Sequence, residues 1–244
     1  MVRVFVVTGA AKGLGLAWIE LLSSNPSNKV FAIVRKTSQR LLELESEKKG
    51  QVFIVKADVA QEEDIFEAVR EVERNTDHVD VLINNAGVAP SGVGNADPFS
   101  TIKMENIMEA VRVNVLGPIM TTKAFVPLLR RGTEKKVISS GSTLGSLKLV
   151  ATKDFGNGVG TTGDYSISKA ALHMAMRKMD MEYKKEGFSI ISLHPGFVKT
   201  DMAGTDAPPL YPHESVEKQL AIIDNLLPEA TDNLFAIDLP GLPW

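Results

Sequence analysis

Cysteine is absent from the 244 residues, which removes disulfides and thiolate-bound metals from consideration. Histidine is nearly as scarce, with four residues and none at the usual metal-ligand spacings. Metal chemistry would have to rest on carboxylates alone, and no pattern supports that. An excess of positive charge is also missing. The 27 Lys and Arg face 30 Asp and Glu for a net charge of −3, so there is no basic footprint for nucleic acid. No apolar run approaches the ~20 residues of a membrane span, so a membrane partner is not expected. The N-terminus has no charged leader followed by a separate apolar stretch, because its early apolar run is already strand-like. A cytoplasmic location is therefore expected. With 44% apolar residues, a chain of this length can bury roughly 70–75% of its unfolded surface. One domain spanning 1–244 is the expectation.

What is present begins at the N-terminus. The strand-like run Val2–Val7 passes directly into Thr8-Gly9-Ala10-Ala11-Lys12-Gly13-Leu14-Gly15, and Leu16–Leu22 then has the apolar spacing of a helix. Glycine allows a tight turn and close approach of backbone to a pyrophosphate, while the helix N-terminus offers free N–H groups and a positive dipole end. Further apolar runs at Val30–Val34, Val52–Val55, Val79–Ile83, Lys136–Ile138 and Phe188–Leu193 are each separated by a segment of helical spacing. Strands alternating with helices predict an α/β fold with a doubly wound parallel sheet in a three-layer α/β/α arrangement, with ligands outside the carboxyl ends of the strands. Val88–Pro98, Leu149–Gly163 and Gly204–Pro212 have the composition of loops on that side. The Glu43–Lys49 charge cluster is a solvated helix face.

Tyr165 and Lys169 lie four residues apart on a helical stretch, so one face presents a phenol beside an ammonium. A free phenol titrates near ~10, and a fixed cation nearby lowers that value. Taken alone, the same spacing also fits an ordinary solvated face.

Together these segments resemble the classical short-chain dehydrogenases/reductases over nearly the whole chain, and the resemblance implies a Rossmann fold. The family's glycine motif appears as Thr8–Gly15, its Asp-Val as Asp58-Val59, its Asn-Asn-Ala-Gly as Asn84–Gly87, its helix asparagine as Asn114, its Y-x-x-x-K as Tyr165 and Lys169, and its P-G-x-x-x-T as Pro195–Thr200. Within the family the chain is most similar to Sniffer-like carbonyl reductases and to fungal ketoreductases of the norsolorinic-acid type. The final Leu242-Pro243-Trp244 resembles the latter, and a terminal Trp covering an apolar sheet edge accounts for it equally.

The resemblance implies a nicotinamide dinucleotide. Gly9, Gly13, Leu14 and Gly15 would hold its phosphates, Asp58 and Val59 its adenine, Asn85, Ala86 and Gly87 its ribose, Tyr165 and Lys169 the nicotinamide ribose, and Val198 and Thr200 the carboxamide, while Lys12 inside the glycine turn stands where NADPH-preferring relatives often carry a second cation. Asp58 could instead cap the next helix, Asn85 could satisfy backbone groups between strands, and Thr200 could cap the helix after it. NAD-preferring enzymes place an acidic residue after the second strand, about 20 residues past the glycines, where this chain has Val34 followed by Arg35 and Lys36. A guanidinium grips a 2′-phosphate with paired charge-assisted bonds, so NADPH/NADP+ is the expected cofactor. Solvated loop charge is the alternative for Arg35 and Lys36.

The reaction implied is reduction of a small-molecule carbonyl. Tyr165 is the general acid, Lys169 lowers its pKa, Asn114 holds a water linked to Lys169, and a serine steadies the carbonyl oxygen. Ser142 puts the motif's glycine in register, and Ser140 stays open because both hydroxyls fall on one strand face. The interval from Ser142 to Tyr165 exceeds the family's usual one, which makes Leu149–Gly163 an inserted flap. Phe99, Phe155, Phe197 and Tyr211 suggest an apolar or aromatic ketone, while His173 and His194 are expected to be structural. Two other readings stay open: a catalytically silent NADP(H)-binding regulatory protein and an NADP-dependent alcohol dehydrogenase working in oxidation. Relatives pair as homodimers or homotetramers through the helices corresponding to Met104–Leu129 and Tyr165–Lys185, although some related reductases are monomers.

Overall fold

A computed structural model describes residues 2–92, 99–151, 162–204, 208–230, 234–238 and 241. Seven strands, β1 (Arg3–Thr8), β2 (Asn28–Val34), β3 (Val52–Lys56), β4 (Val81–Asn84), β5 (Lys136–Ser140), β6 (Ser189–His194) and β7 (Phe235–Ala236), form one sheet in the order β3-β2-β1-β4-β5-β6-β7. Every pairing is parallel. The central strands are apolar on both faces because helices cover both. One face packs on α1 (Gly13–Ser23), α2 (Gln39–Glu47) and α8 (Pro212–Asp224), burying Phe5, Trp18, Leu41, Ile138 and Ile223. The other packs on α3 (Glu62–Glu73), α5 (Gly117–Arg131) and α7 (Gly163–Tyr183), burying Phe31, Leu82, Phe125, Met176 and Phe188. Alternation along each strand splits the apolar set between the two layers.

Strand order reverses between β1 and β4, which opens a crevice at their carboxyl ends. Each expected strand forms, with ends displaced by one or two residues. β4 starts at Val81 rather than Val79 because the Asp80 side chain, buried at the entrance, accepts the amides of Val4 and Thr133. β7 was not anticipated, since two residues carry no period. In α2 the charge cluster is largely solvated, with Glu45 also accepting the amide of Ile54.

The long segment Met104–Leu129 is not one regular helix. It divides into α4 (Met104–Val111), a π-helical turn over Arg112–Leu116, and α5. Pro118 explains the break, because it has no N–H to give the carbonyl of Asn114 its α-helical bond. A short α6 (Leu147–Val150) begins the expected flap. Most of Leu149–Gly163, including Phe155, lies outside the described residues, as do parts of Val88–Pro98 and Gly204–Pro212 and the terminal Leu242–Trp244. Among the described residues no helix is long and apolar enough to cross a membrane.

Candidate active site

The glycine turn is shaped by close contact. Gly9 has φ +67°, and a Cβ there would lie 2.7 Å from Ala86 Cα. A Cβ on Gly15 would meet Gly9 O at 2.2 Å and Asn85 Nδ2 at 2.7 Å. Thr8 Oγ1 accepts the amides of Asn85 and Ala86, and Asn85 Nδ2 returns to the carbonyls of Thr8 and Gly9. Asn85 is thus the rivet between β1 and β4, the structural alternative the sequence allowed, while its backbone lines the crevice with Ala86 and Gly87. Beyond the turn, α1 starts with no side-chain cap and no acidic residue in its first turn, so its N–H groups are open to an anion. A dinucleotide pyrophosphate fits this cradle.

Along the crevice toward β2 and β3, Arg35, Lys56, Ala57, Asp58 and Asp64 line an open pocket. Arg35 is exposed, with Nη1 3.8 Å from Asp58 Oδ2. Asp58 Oδ1 accepts the amide of Ala60 at 2.9 Å, a turn ahead of α3, which leaves Oδ2 toward the pocket. Val59 is buried against Gly117, a position where a Cβ would meet Val59 Cγ2 at 3.1 Å. Lys12 points away from this pocket: its Nζ lies 2.6 Å from Asp201 Oδ2, across the crevice mouth. Thr200 approaches from the same side, its methyl carbon 3.4 Å from where a Gly13 Cβ would stand. Its hydroxyl caps nothing in the following turn. Val198 is bridged to Leu210, and Lys199 lies 4.6 Å over the Tyr211 ring. Phe197 and Tyr211 are about half exposed, and Phe99 is exposed near Gly163.

At the other end of the crevice, β5 and α7 bring Ser142, Tyr165 and Lys169 together. Tyr165 is buried, with its hydroxyl turned toward that of Ser142. Lys169 Nζ donates to Ser140 O at 2.6 Å and lies 5.3 Å from the Tyr165 ring centroid. The serine ambiguity thus divides by atom: Ser142 meets the phenol and the Ser140 carbonyl takes the ammonium. Asn114, fully buried on the π turn, accepts the Val88 amide and donates to the Val88 carbonyl, both at 2.8 Å, and also donates to Ser168 Oγ at 2.9 Å. A Cβ at Gly87 would lie 3.3 Å from Asn114 Oδ1 and 3.9 Å from Lys169 Nζ. The loop after β4 therefore opens onto both groups. Leu14 is half-buried on the first turn of α1.

The electrostatics reverse one expectation. Burial pushes the Tyr165 phenol up to about 12, opposed by the Ser142 hydrogen bond. Lys169 does not offset this, because burial pushes its own pKa down to about 8, so the ammonium has lost its charge before a phenol near 12 ionises. Three partners escaped the sequence reading. Asp164 is buried and accepts the amides of Ser91 and Tyr165. Ser168 donates to Tyr165 O at 2.7 Å. His173 Nε2 accepts the Ser142 amide at 3.3 Å. The available signal was helical spacing, since Tyr165, Lys169 and His173 recur every four residues on one stripe.

Burial, with Lys169 and His194, pushes His173 down to about 3. His194 is held at about 4 by burial and Lys169 against the pull of Asp238. Unfolded, each imidazole takes up a proton near ~6.5, so below that pH the unfolded chain binds more protons than the native one. Stability present above about pH 6.5 is therefore lost as pH falls toward 4, at up to about 1.4 kcal/mol per pH unit for each ring. Urea midpoints measured between pH 7 and 4.5 should fall with acidification, and should fall less steeply in His173→Gln.

The short chain dehydrogenase family model matches residues 3–209. An uncharacterized oxidoreductase of Schizosaccharomyces pombe is 32% identical over 263 residues, covering 99% of this chain and 98% of the relative. Among solved structures, the NADPH-bound carbonyl reductase from chicken fatty liver superposes with a TM-score of 0.87 at 29% identity, covering 100% of this chain and 94% of the other. The carbonyl reductase Sniffer of D. melanogaster superposes with a TM-score of 0.88 at 26% identity, covering all of both chains. With the family model covering most of its length and a relative 32% identical over nearly all of it, the chain belongs to the short-chain dehydrogenase/reductase family and is an oxidoreductase of that family.

Proposed function

We propose that the protein is an NADPH-dependent carbonyl reductase acting on an apolar or aromatic ketone or aldehyde. The observation that carries the reading is the buried Tyr165 phenol, facing Ser142 beside the Lys169 ammonium at the carboxyl ends of β4 to β6. When bound, the reduced nicotinamide supplies a hydride to the carbonyl carbon. Tyr165 then delivers its proton to the oxygen that gains charge. A phenol near 12 keeps that proton at neutral pH, and an alkoxide is basic enough to take it. Ser142 donates to the same oxygen and fixes where it sits. With the cofactor bound, Lys169 would hold the ribose hydroxyls and place positive charge beside the phenol. The Asn114 side chain is spent on Val88 and Ser168. A water would instead be held by the Asn114 backbone carbonyl, which Pro118 has no N–H to serve. Exposed Leu147, Val150, Phe197 and Tyr211 support an apolar substrate.

Arg35 supports the choice of NADPH, since it lines the pocket directly after β2, at the position where NAD-preferring enzymes carry an acidic residue. Two apolar layers sharing one sheet support a single domain over 1–244. Exposed Met104, Met108, Leu116, Met174 and Met181 on the helices of one face support pairing as a homodimer or homotetramer. A cytoplasmic location goes with this reading through its NADPH supply.

The test is consumption of NADPH, with NADH in parallel, across aliphatic, aromatic and polycyclic ketones and quinones. NADPH-preferring turnover is expected, and equal use of NADH would overturn the Arg35 argument. Arg35→Glu should raise the KM for NADPH by about 30-fold or more and leave that for NADH nearly unchanged.

A further inference from the structure

We propose that His173 is a positioning residue of the catalytic centre: by accepting the backbone amide of Ser142, it holds the Ser142 hydroxyl against Tyr165. The inference rests on the reductase reading above and adds a residue to it. The stripe that carries Tyr165 and Lys169 continues one turn further to His173, which is buried beneath the turn following β5.

That turn is built around the imidazole. Gly141 N donates to Leu193 O at 2.9 Å and Gly145 N to Ser142 O at 3.0 Å, while Ser142 Oγ accepts from Leu144 N at 3.2 Å. Ser142 N donates to His173 Nε2, the contact that ties the serine to the helix bearing Tyr165. A Cβ at Gly141 would stand 3.1 Å from His173 Nε2, and one at Gly145 would stand 2.8 Å from Cε1. At Gly145 the nearest atoms to such a Cβ are Lys169 C and Ala170 N of α7, at 2.7 and 2.8 Å, so glycine lets the turn lie directly against the helix and the ring.

The chemistry of the ring suits the task. To accept an N–H, Nε2 must carry a lone pair, so the imidazole is neutral with its proton on Nδ1. Burial and the adjacent Lys169 ammonium keep it neutral throughout the physiological range. The ring holds the Ser142 amide from α7, while Leu144 N and Gly145 N hold its hydroxyl and carbonyl from within the loop. The helix that carries Tyr165 thus also anchors the serine backbone. A shift of the serine by about 1 Å can cost on the order of 10²-fold in rate.

The experiment uses the full chain labelled with 13C at Cζ of its three tyrosines, with the Tyr165 resonance assigned through Tyr165→Phe. His173→Leu removes the acceptor and should shift the Tyr165 resonance as the Ser142 bond loosens, with kcat falling about 10- to 100-fold and NADPH affinity unchanged. His173→Gln carries an amide oxygen to the position of Nε2 and should restore both. Should the Leu variant fail to fold, His173→Asn takes its place, because its shorter amide stops short of Ser142. The inference is overturned by a folded Leu or Asn variant that keeps the wild-type Tyr165 resonance, or by a Gln variant as impaired as Leu. The resonance is read without turnover, so failure of the reductase reading and failure of this inference are separate results.

Discussion

Tyr165→Phe is expected to slow carbonyl reduction by about 10²- to 10⁴-fold while leaving NADPH affinity within about twofold. The change removes one hydroxyl and keeps the ring that fills the buried space between α7 and the Ser142 turn. Neither neighbour can replace the lost donor. Ser142 is an alcohol whose proton is harder to release than a phenol's, and Lys169 is turned toward Ser140 O. Initial rates at saturating NADPH, paired with a fluorescence titration of nucleotide binding, separate loss of chemistry from loss of binding. A mutant that keeps most of its rate would mean the proton comes from Lys169 or from water.

Gly15→Ala should be the most damaging small substitution in the glycine turn. The added methyl would stand 2.2 Å from Gly9 O and 2.8 Å from Ala10 Cα. Both are backbone atoms held by the pairing of β1 with its neighbours, so no side chain can swing aside. Overpacking of this kind costs about 2–4 kcal/mol. In a chain of this size that is roughly 5–15 °C in Tm. Asn85 would be displaced as well, since its Nδ2 is 2.7 Å from the same point, and nucleotide affinity should fall with stability. Gly187→Ala is the control. Its φ of +83° brings strain, but nothing lies within 4 Å, so a loss of only about 1 kcal/mol is expected, with nucleotide binding unchanged.

Much of this architecture was legible because its signals are local. The run from Val2 through Gly15 announces strand, turn and helix within one short window, and the later apolar runs each mark a buried parallel strand. The helix break at Arg112–Leu116 was also written locally, in Gly117-Pro118, but the apolar spacing carries across it and hides it. β7 was not legible, because two residues owe their strand pairing to β6 and not to any pattern of their own.

For the site, the motif residues could be named, but their partners and electrostatics could not. Lys12 reaches Asp201 across 189 positions, a contact that depends on how the segment after β6 folds back over the glycine turn. The direction of the Tyr165 shift depends on burial, which is set by several elements at once, whereas the sequence offered only the nearby cation. His173 seemed an ordinary core histidine until the turn it supports was in place. Asn85 and Asn114 illustrate the same limit: their side chains hold backbone in place, and what they offer a ligand comes through the chain they position.

Hydride transfer is tested most directly by the fate of deuterium from NADPH carrying deuterium at both nicotinamide C4 positions, followed by mass spectrometry of the product from a reactive aromatic ketone. A carbonyl reductase places one deuterium on the carbinol carbon for each NADPH oxidised, with no product from Tyr165→Phe on the same timescale. Tight NADPH binding with no label transferred to any carbonyl in the panel would contradict that reading and would make the crevice a nucleotide-binding site without chemistry.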